Sequence, residues 1–140
     1  MNPDSLIKSL KLEPLEGEGG LWSPIYRDAE SNAIYFMMRD PDFSAWHILE
    51  EPELWVHLAG APITLYTIES GKLLTTELSR EAENFAYRVP AKTWMAARPN
   101  GAWSLALCAL TPPFSQMTLG KSATLREEFP HLEIPELFHE

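Results

Sequence analysis

Between residues 21 and 111 the chain is cut into short runs of four to nine residues, rich in β-branched and aromatic side chains and separated by turn signals. The runs fall at 21–27, 33–38, 45–49, 54–59, 63–69, 72–78, 85–89, 93–97 and 103–111. Ser70-Gly71 marks a two-residue hairpin, and Asp40-Pro41-Asp42 and Pro99-Asn100-Gly101 mark two further turns. No helical pattern intervenes, so a doubly wound fold of alternating strands and helices is excluded. Nine strands with such short links predict an all-β jelly roll or barrel.

The ends read differently. Asn2 before Pro3 is an N-cap with proline in the first turn, and Leu6, Ile7 and Leu10 share one helical face. Glu16-Gly17-Glu18-Gly19-Gly20 separates this short N-terminal helix from the strands. After Thr111-Pro112-Pro113, the spacing of Thr124 and Glu127 predicts a capping box opening a short C-terminal helix that stops at Pro130. The tail beyond it carries Leu132, Ile134, Leu137 and Phe138, enough apolar surface to pack on the barrel or on a partner subunit.

Length and charge narrow the function classes. A chain of 140 residues is the size of one domain, 1–140, and 45% hydrophobic residues supply its core without disulfides. A net charge of −9, with 11 scattered Lys and Arg, argues against nucleic acid and against anionic membranes. No apolar run approaches the ~20 residues that span a bilayer, and the first residues lack a secretory pattern, so the expected compartment is the cytoplasm. The one cysteine, Cys108, lies in an apolar run and reads as a core residue, because an apolar wall suppresses the thiolate.

The residues suited to chemistry concentrate between positions 46 and 60. Strand alternation puts His47 and Leu49 on one face, and Glu53, Trp55 and His57 on one face of the next strand. An imidazole and a carboxylate on neighbouring strands are suited to proton transfer near neutral pH. Tyr35, Trp55 and Trp94, with Met37 and Met95, are candidates for lining an apolar ligand cavity. Arg27 and Arg98 are candidates for holding an acidic ligand group, and His131 and His139 lie in a polar tail where solvation is expected.

These residues resemble the cupin pattern, in which two histidines one residue apart precede a glutamate, with a glycine following after six residues. Glu53 and Gly60 keep that last spacing and His47 stands at the first histidine, but Leu49 occupies the second. In the second cupin motif Pro90 matches the turn proline, while Met95 falls at the histidine position and Lys92 replaces the glycine. A narrower resemblance covers almost the whole chain, to a cupin family of small bacterial and fungal proteins described as a domain of unknown function. It is carried in order by Glu18-Gly19-Gly20, Tyr26-Arg27, Ala33-Ile34-Tyr35-Phe36, Ser44-Ala45-Trp46-His47, Glu53-Leu54-Trp55, Gly60-Ala61-Pro62, Val89-Pro90-Ala91 and Trp94. Leu15, Val56 and Met95 stand where that family usually has a histidine, a histidine and a glutamine.

The resemblance implies a cupin double-stranded β-helix with short N- and C-terminal helices, and a homodimer, since small cupins commonly pair their sheets. The pocket is expected around His47, Glu53, Trp55 and Met95, with Tyr35, Met37, Leu49, His57 and Trp94 in its wall. No cofactor is expected; a divalent transition metal, if bound, would fall to His47, Glu53 and His57, too sparse a set for a stable site without all three. The leading expectation is a small organic ligand, sugar-like or acidic, with metal-independent isomerase or epimerase chemistry at His47 and Glu53. A metal-dependent cupin enzyme with an atypical ligand set and a non-catalytic structural or interaction protein remain alternatives.

Overall fold

Asn2 Oδ1 accepts the Ser5 backbone N–H at 2.8 Å and opens α1 (Pro3–Leu10), which Lys11 closes in the left-handed conformation. This is the cap that the sequence predicts. The computed structural model describes residues 1–140, and the strands follow in chain order: β1 (Glu13–Pro14), β2 (Leu21–Arg27), β3 (Asn32–Arg39), β4 (Ser44–Leu49), β5 (Glu53–Gly60), β6 (Ile63–Glu69), β7 (Lys72–Leu78), β8 (Ala86–Val89), β9 (Trp94–Pro99), β10 (Trp103–Leu110) and β11 (Met117–Leu119). All nine expected strands are present. The two-residue β1 and the three-residue β11 are additions too short to carry a pattern of their own.

Ser70 (φ 53) and Gly71 (φ 72) close the β6–β7 hairpin with two positive φ angles, as a primed two-residue turn requires. The C-terminal helix α2 (Ser122–Glu128) begins earlier than expected. Its N-cap is Lys121 and no side chain caps it, so the predicted capping box at Thr124 does not form.

The strands build two antiparallel sheets, one in the order β1-β2-β3-β10-β5-β8 and one in the order β11-β4-β9-β6-β7. Their facing surfaces enclose the main core, including Phe36, Met38, Leu65, Trp55 and Met95. Phe36 and Trp55 meet edge to face at 5.8 Å, the geometry that aligns ring edge with ring face. The outer faces are covered too. Leu6, Ile7 and Leu10 of α1 pack over Met37 and Leu105 on the first sheet. Leu125 of α2 and Ile134 and Leu137 of the tail pack over Trp46, Tyr66 and Ala96 on the second. The C-terminal tail therefore serves this chain's own barrel.

Double coverage corrects three expectations. On β3, Phe36 and Met38 point into the barrel, so Tyr35 and Met37 point outward into the contact with α1. Trp94 likewise lies on the outer face of β9, in the cluster under the tail. A strand apolar on both faces gives no alternation from which to tell inside from outside. No helix is long and apolar enough to cross a membrane.

Candidate functional site

Strand β4 is held from both sides. Its outer face is pinned by the tail: Trp46 donates its indole N–H to the Pro135 carbonyl at 2.9 Å and its backbone N–H to the Leu137 carbonyl at 3.0 Å. The pairing of β4 with β9 shifts register between Ser44 and His47, a bulge that re-aims the side chains around it. At this shift Ser44 Oγ donates to Glu18 Oε2 at 2.6 Å, and the Ala45 N–H donates to the Glu18 carbonyl at 2.8 Å. The turn before β2 thereby delivers Glu18 to the side of His47.

His47 is almost fully buried, at 1% exposure. Its Nδ1 lies 2.7 Å from the Ala45 carbonyl, which only accepts, so Nδ1 carries a proton. Nε2 is then the ring nitrogen turned toward the site, 3.9 Å from Glu18 Oε2. At that distance the contact is electrostatic and no direct hydrogen bond joins the pair.

Glu53, from the start of β5, accepts the Trp55 indole N–H at 3.0 Å. Burial, and then the nearby Glu18 carboxylate, push its pKa up to about 8, with the Trp55 bond opposing them. At neutral pH Glu53 therefore keeps its proton and offers a neutral O–H donor. Cys108 lies on the neighbouring strand, opposite Trp55. Burial first, then the charges of Glu53 and Glu18, hold its thiol well above its ordinary range, so it is no nucleophile.

His47, Glu18 and Glu53 stand in the wall of a cavity of about 270 Å³, near the lower end of small-molecule sites. The rest of its wall is mainly apolar, with Trp22, Ile34, Leu49, Leu110, Phe114 and Met117 among the lining residues. Arg27 and Asn32 also line it.

Of the expected candidate residues, the structure brings Arg27, His47, Leu49 and Glu53 to this wall. Trp55 and Met95 point inward but belong to the packed core behind it, Trp55 bound to Glu53 and Met95 paired across the sheet with His47. His57 is turned to the opposite end of β5, its Nε2 3.0 Å from the Ala61 carbonyl. Tyr35, Met37 and Trp94 are on outer faces, as described above. Arg98 also lies outside, over the Tyr66 ring at 5.7 Å. His139, expected to be solvated, stacks on Phe43 at 4.0 Å and sits 3.2 Å from Asp42.

Leu49 and Met95 occupy two nominal ligand positions, His57 is held elsewhere, and no three His, Cys, Asp or Glu side chains gather where they could hold an ion. Two polar members of the site, Glu18 and Ser44, escaped the sequence reading as functional residues. The available signal was their place in the Glu18-Gly19-Gly20 and Ser44-Ala45-Trp46-His47 segments of the family pattern.

The family model described as Cupin superfamily (DUF985) matches residues 4–119. Among solved structures, a protein from Shewanella oneidensis is 28% identical, covering 93% of this chain and 91% of that one with a TM-score of 0.84. A Leishmania major protein is 23% identical over 95% of both chains, with a TM-score of 0.87. A cupin 2 conserved barrel domain protein from Rhodopseudomonas palustris, 13% identical over 83% of this chain and 81% of that one, has a TM-score of 0.62 and shares the fold alone. No curated protein matches the sequence.

Proposed function

The chain belongs to the Cupin superfamily (DUF985), and from that premise we propose that its barrel cavity binds a small organic molecule and moves a proton on it without a metal. The observation that carries this reading is the pairing of two unlike proton carriers in one cavity wall. His47 has Nδ1 tied to a carbonyl and Nε2 turned toward the site, while Glu53 is a buried acid with its pKa pushed up to about 8.

Such a pair suits isomerisation next to a carbonyl. His47 Nε2 takes the proton from carbon, the C–H electron pair moves toward the carbonyl, and Glu53 donates its proton to the oxygen that gains charge. Return of a proton to the neighbouring carbon or to the opposite face completes an isomerisation or epimerisation. Glu18 Oε2 lies 3.9 Å from Nε2, facing the nitrogen that receives the proton.

The test is solvent proton exchange. A panel of keto acids, hydroxy ketones and small sugars is incubated with the protein in D₂O, and loss of the C–H signal next to the carbonyl is followed by proton NMR. The wild type accelerates exchange in at least one class, and His47→Gln abolishes it while leaving the unfolding midpoint nearly unchanged. Exchange that is absent throughout the panel, or untouched by His47→Gln, rejects the chemistry.

A further inference from the structure

Resting on the reading of the cavity as a ligand site, we infer that its ligand is a small monocarboxylate, seated with a hydroxyl or carbonyl at the inner end and its carboxylate at Arg27 and Asn32. The register supplies the axis. Arg27 pairs with Asn32, Asn32 with Leu110 and Leu110 with Glu53, so one row of residues crosses β2, β3, β10 and β5. All four line the cavity. At ~4.8 Å between neighbouring strands the row spans roughly 14 Å between its outer backbones. The side chains reaching in from both ends shorten this to the length of a small substituted acid.

The two ends differ in charge. The inner end holds Glu18 and Glu53, and a second anion placed there would meet a carboxylate in a desolvated wall. The other end holds Arg27, which makes no ion pair with any acidic residue. Asn32 beside it is buried, at 7% exposure. Its Oδ1 accepts the Phe114 N–H at 2.7 Å, which fixes the amide so that Nδ2, without a protein partner, is left as a donor. A guanidinium and an amide donor side by side match the two oxygens of a carboxylate.

Between the ends, Trp22, Ile34 and Leu110 line a mainly apolar passage whose one side-chain polar group is the Trp22 indole N–H. A cavity of about 270 Å³ suits a ring or short chain. The ligand is thus apolar in the middle, anionic at one end and neutral but hydrogen-bonding at the other.

A matched pair of probes tests the orientation on the full-length chain at low salt by titration calorimetry. 4-Hydroxyphenylacetate has both ends, and 2-(4-hydroxyphenyl)ethanol replaces the carboxylate by a neutral alcohol of similar shape. The acid binds the wild type about tenfold or more tightly than the alcohol. Arg27→Gln, on an exposed residue, removes that preference and leaves the alcohol unchanged. Equal binding of acid and alcohol, or unaltered acid binding by Arg27→Gln, overturns the assignment. Ile34→Trp, which fills the passage, separates the two levels. Acid binding lost in Ile34→Trp but kept in Arg27→Gln refutes the orientation and leaves the cavity reading intact, whereas binding that survives both refutes the cavity reading as well. Failure of both probes to bind the folded wild type overturns the ligand class, with the solvent-exchange experiment still judging the cavity's chemistry.

Discussion

Glu53 ties the chemistry of the site to the stability of the fold, so Glu53→Gln is the most informative perturbation. In the folded protein its carboxyl titrates near 8, against 4.5 for an ordinary glutamate. Below the lower value the group is protonated in both states and contributes no pH dependence. Between the two values the unfolded chain releases a proton that the folded chain keeps, so stability falls as pH rises; above about 8 this contribution levels off. The gap corresponds to roughly 5 kcal/mol, an upper bound because a buried site relaxes around a new charge. Glutamine keeps the oxygen that accepts from the Trp55 indole and supplies N–H in place of the acid's O–H, but it cannot ionise. Urea unfolding followed by tryptophan fluorescence from pH 5 to pH 8 therefore gives a falling curve for the wild type and a nearly flat one for Glu53→Gln. The variant gains on the wild type toward pH 8, by about 2 kcal/mol or more. Stopping at pH 8 keeps clear of the Tyr87 hydroxyl, raised chiefly by its bond to Glu69, and of the Cys108 thiol, raised chiefly by burial. Parallel curves for the two proteins would show that Glu53 is not held as a neutral acid, and the proposed proton donor would be lost with it.

Glu18→Gln, which removes the second cause of the Glu53 shift, leaves the start of the fall in stability unchanged but ends it at lower pH and makes it smaller in the same assay, while the Ser44 contact is retained. Gly19→Ala destabilises by roughly 1–3 kcal/mol, since Gly19 has φ +97 and an added Cβ would stand 2.4 Å from the Phe43 carbonyl; denaturation midpoints check this. Asn2→Ala costs about 1 kcal/mol through loss of the helix cap, and because α1 covers the outer face of the sheet, ligand titrations should be unchanged. The double variant Leu49→His with Met95→His places imidazoles beside His47 and Glu53 and should acquire a divalent transition metal near stoichiometry, measured on protein purified without a histidine tag. The wild type in parallel supplies the comparison.

The elements themselves were legible because their signals are local. Turn residues such as Ser70-Gly71 need particular φ angles and caps such as Asn2 need an oxygen at one spacing, and both stand where the sequence places them. His47 and Glu53 were legible for a related reason: a histidine in an apolar strand and a glutamate beginning the next are chemically conspicuous.

The inside and outside of β3 and β9 were not legible, since the helix and tail that cover their outer faces come from the two ends of the chain. The placement of Tyr35, Met37 and Trp94 depended on that coverage. Glu18 reaches His47 through its bonds to Ser44 and Ala45 of β4, 26 and 27 residues away in the chain, and Arg27 shares a row with Glu53 only through the register of four strands spread over 84 positions, 27 to 110. The sequence by itself determined a strand-built barrel of the cupin type holding one histidine and one glutamate where metal-binding members hold more. The tertiary structure decided that these two meet a second carboxylate, that burial turns Glu53 into an acid, and that the cavity has a cationic end. Strand identity follows from neighbours in the chain, whereas register, burial and charge proximity arise only when distant segments are brought together.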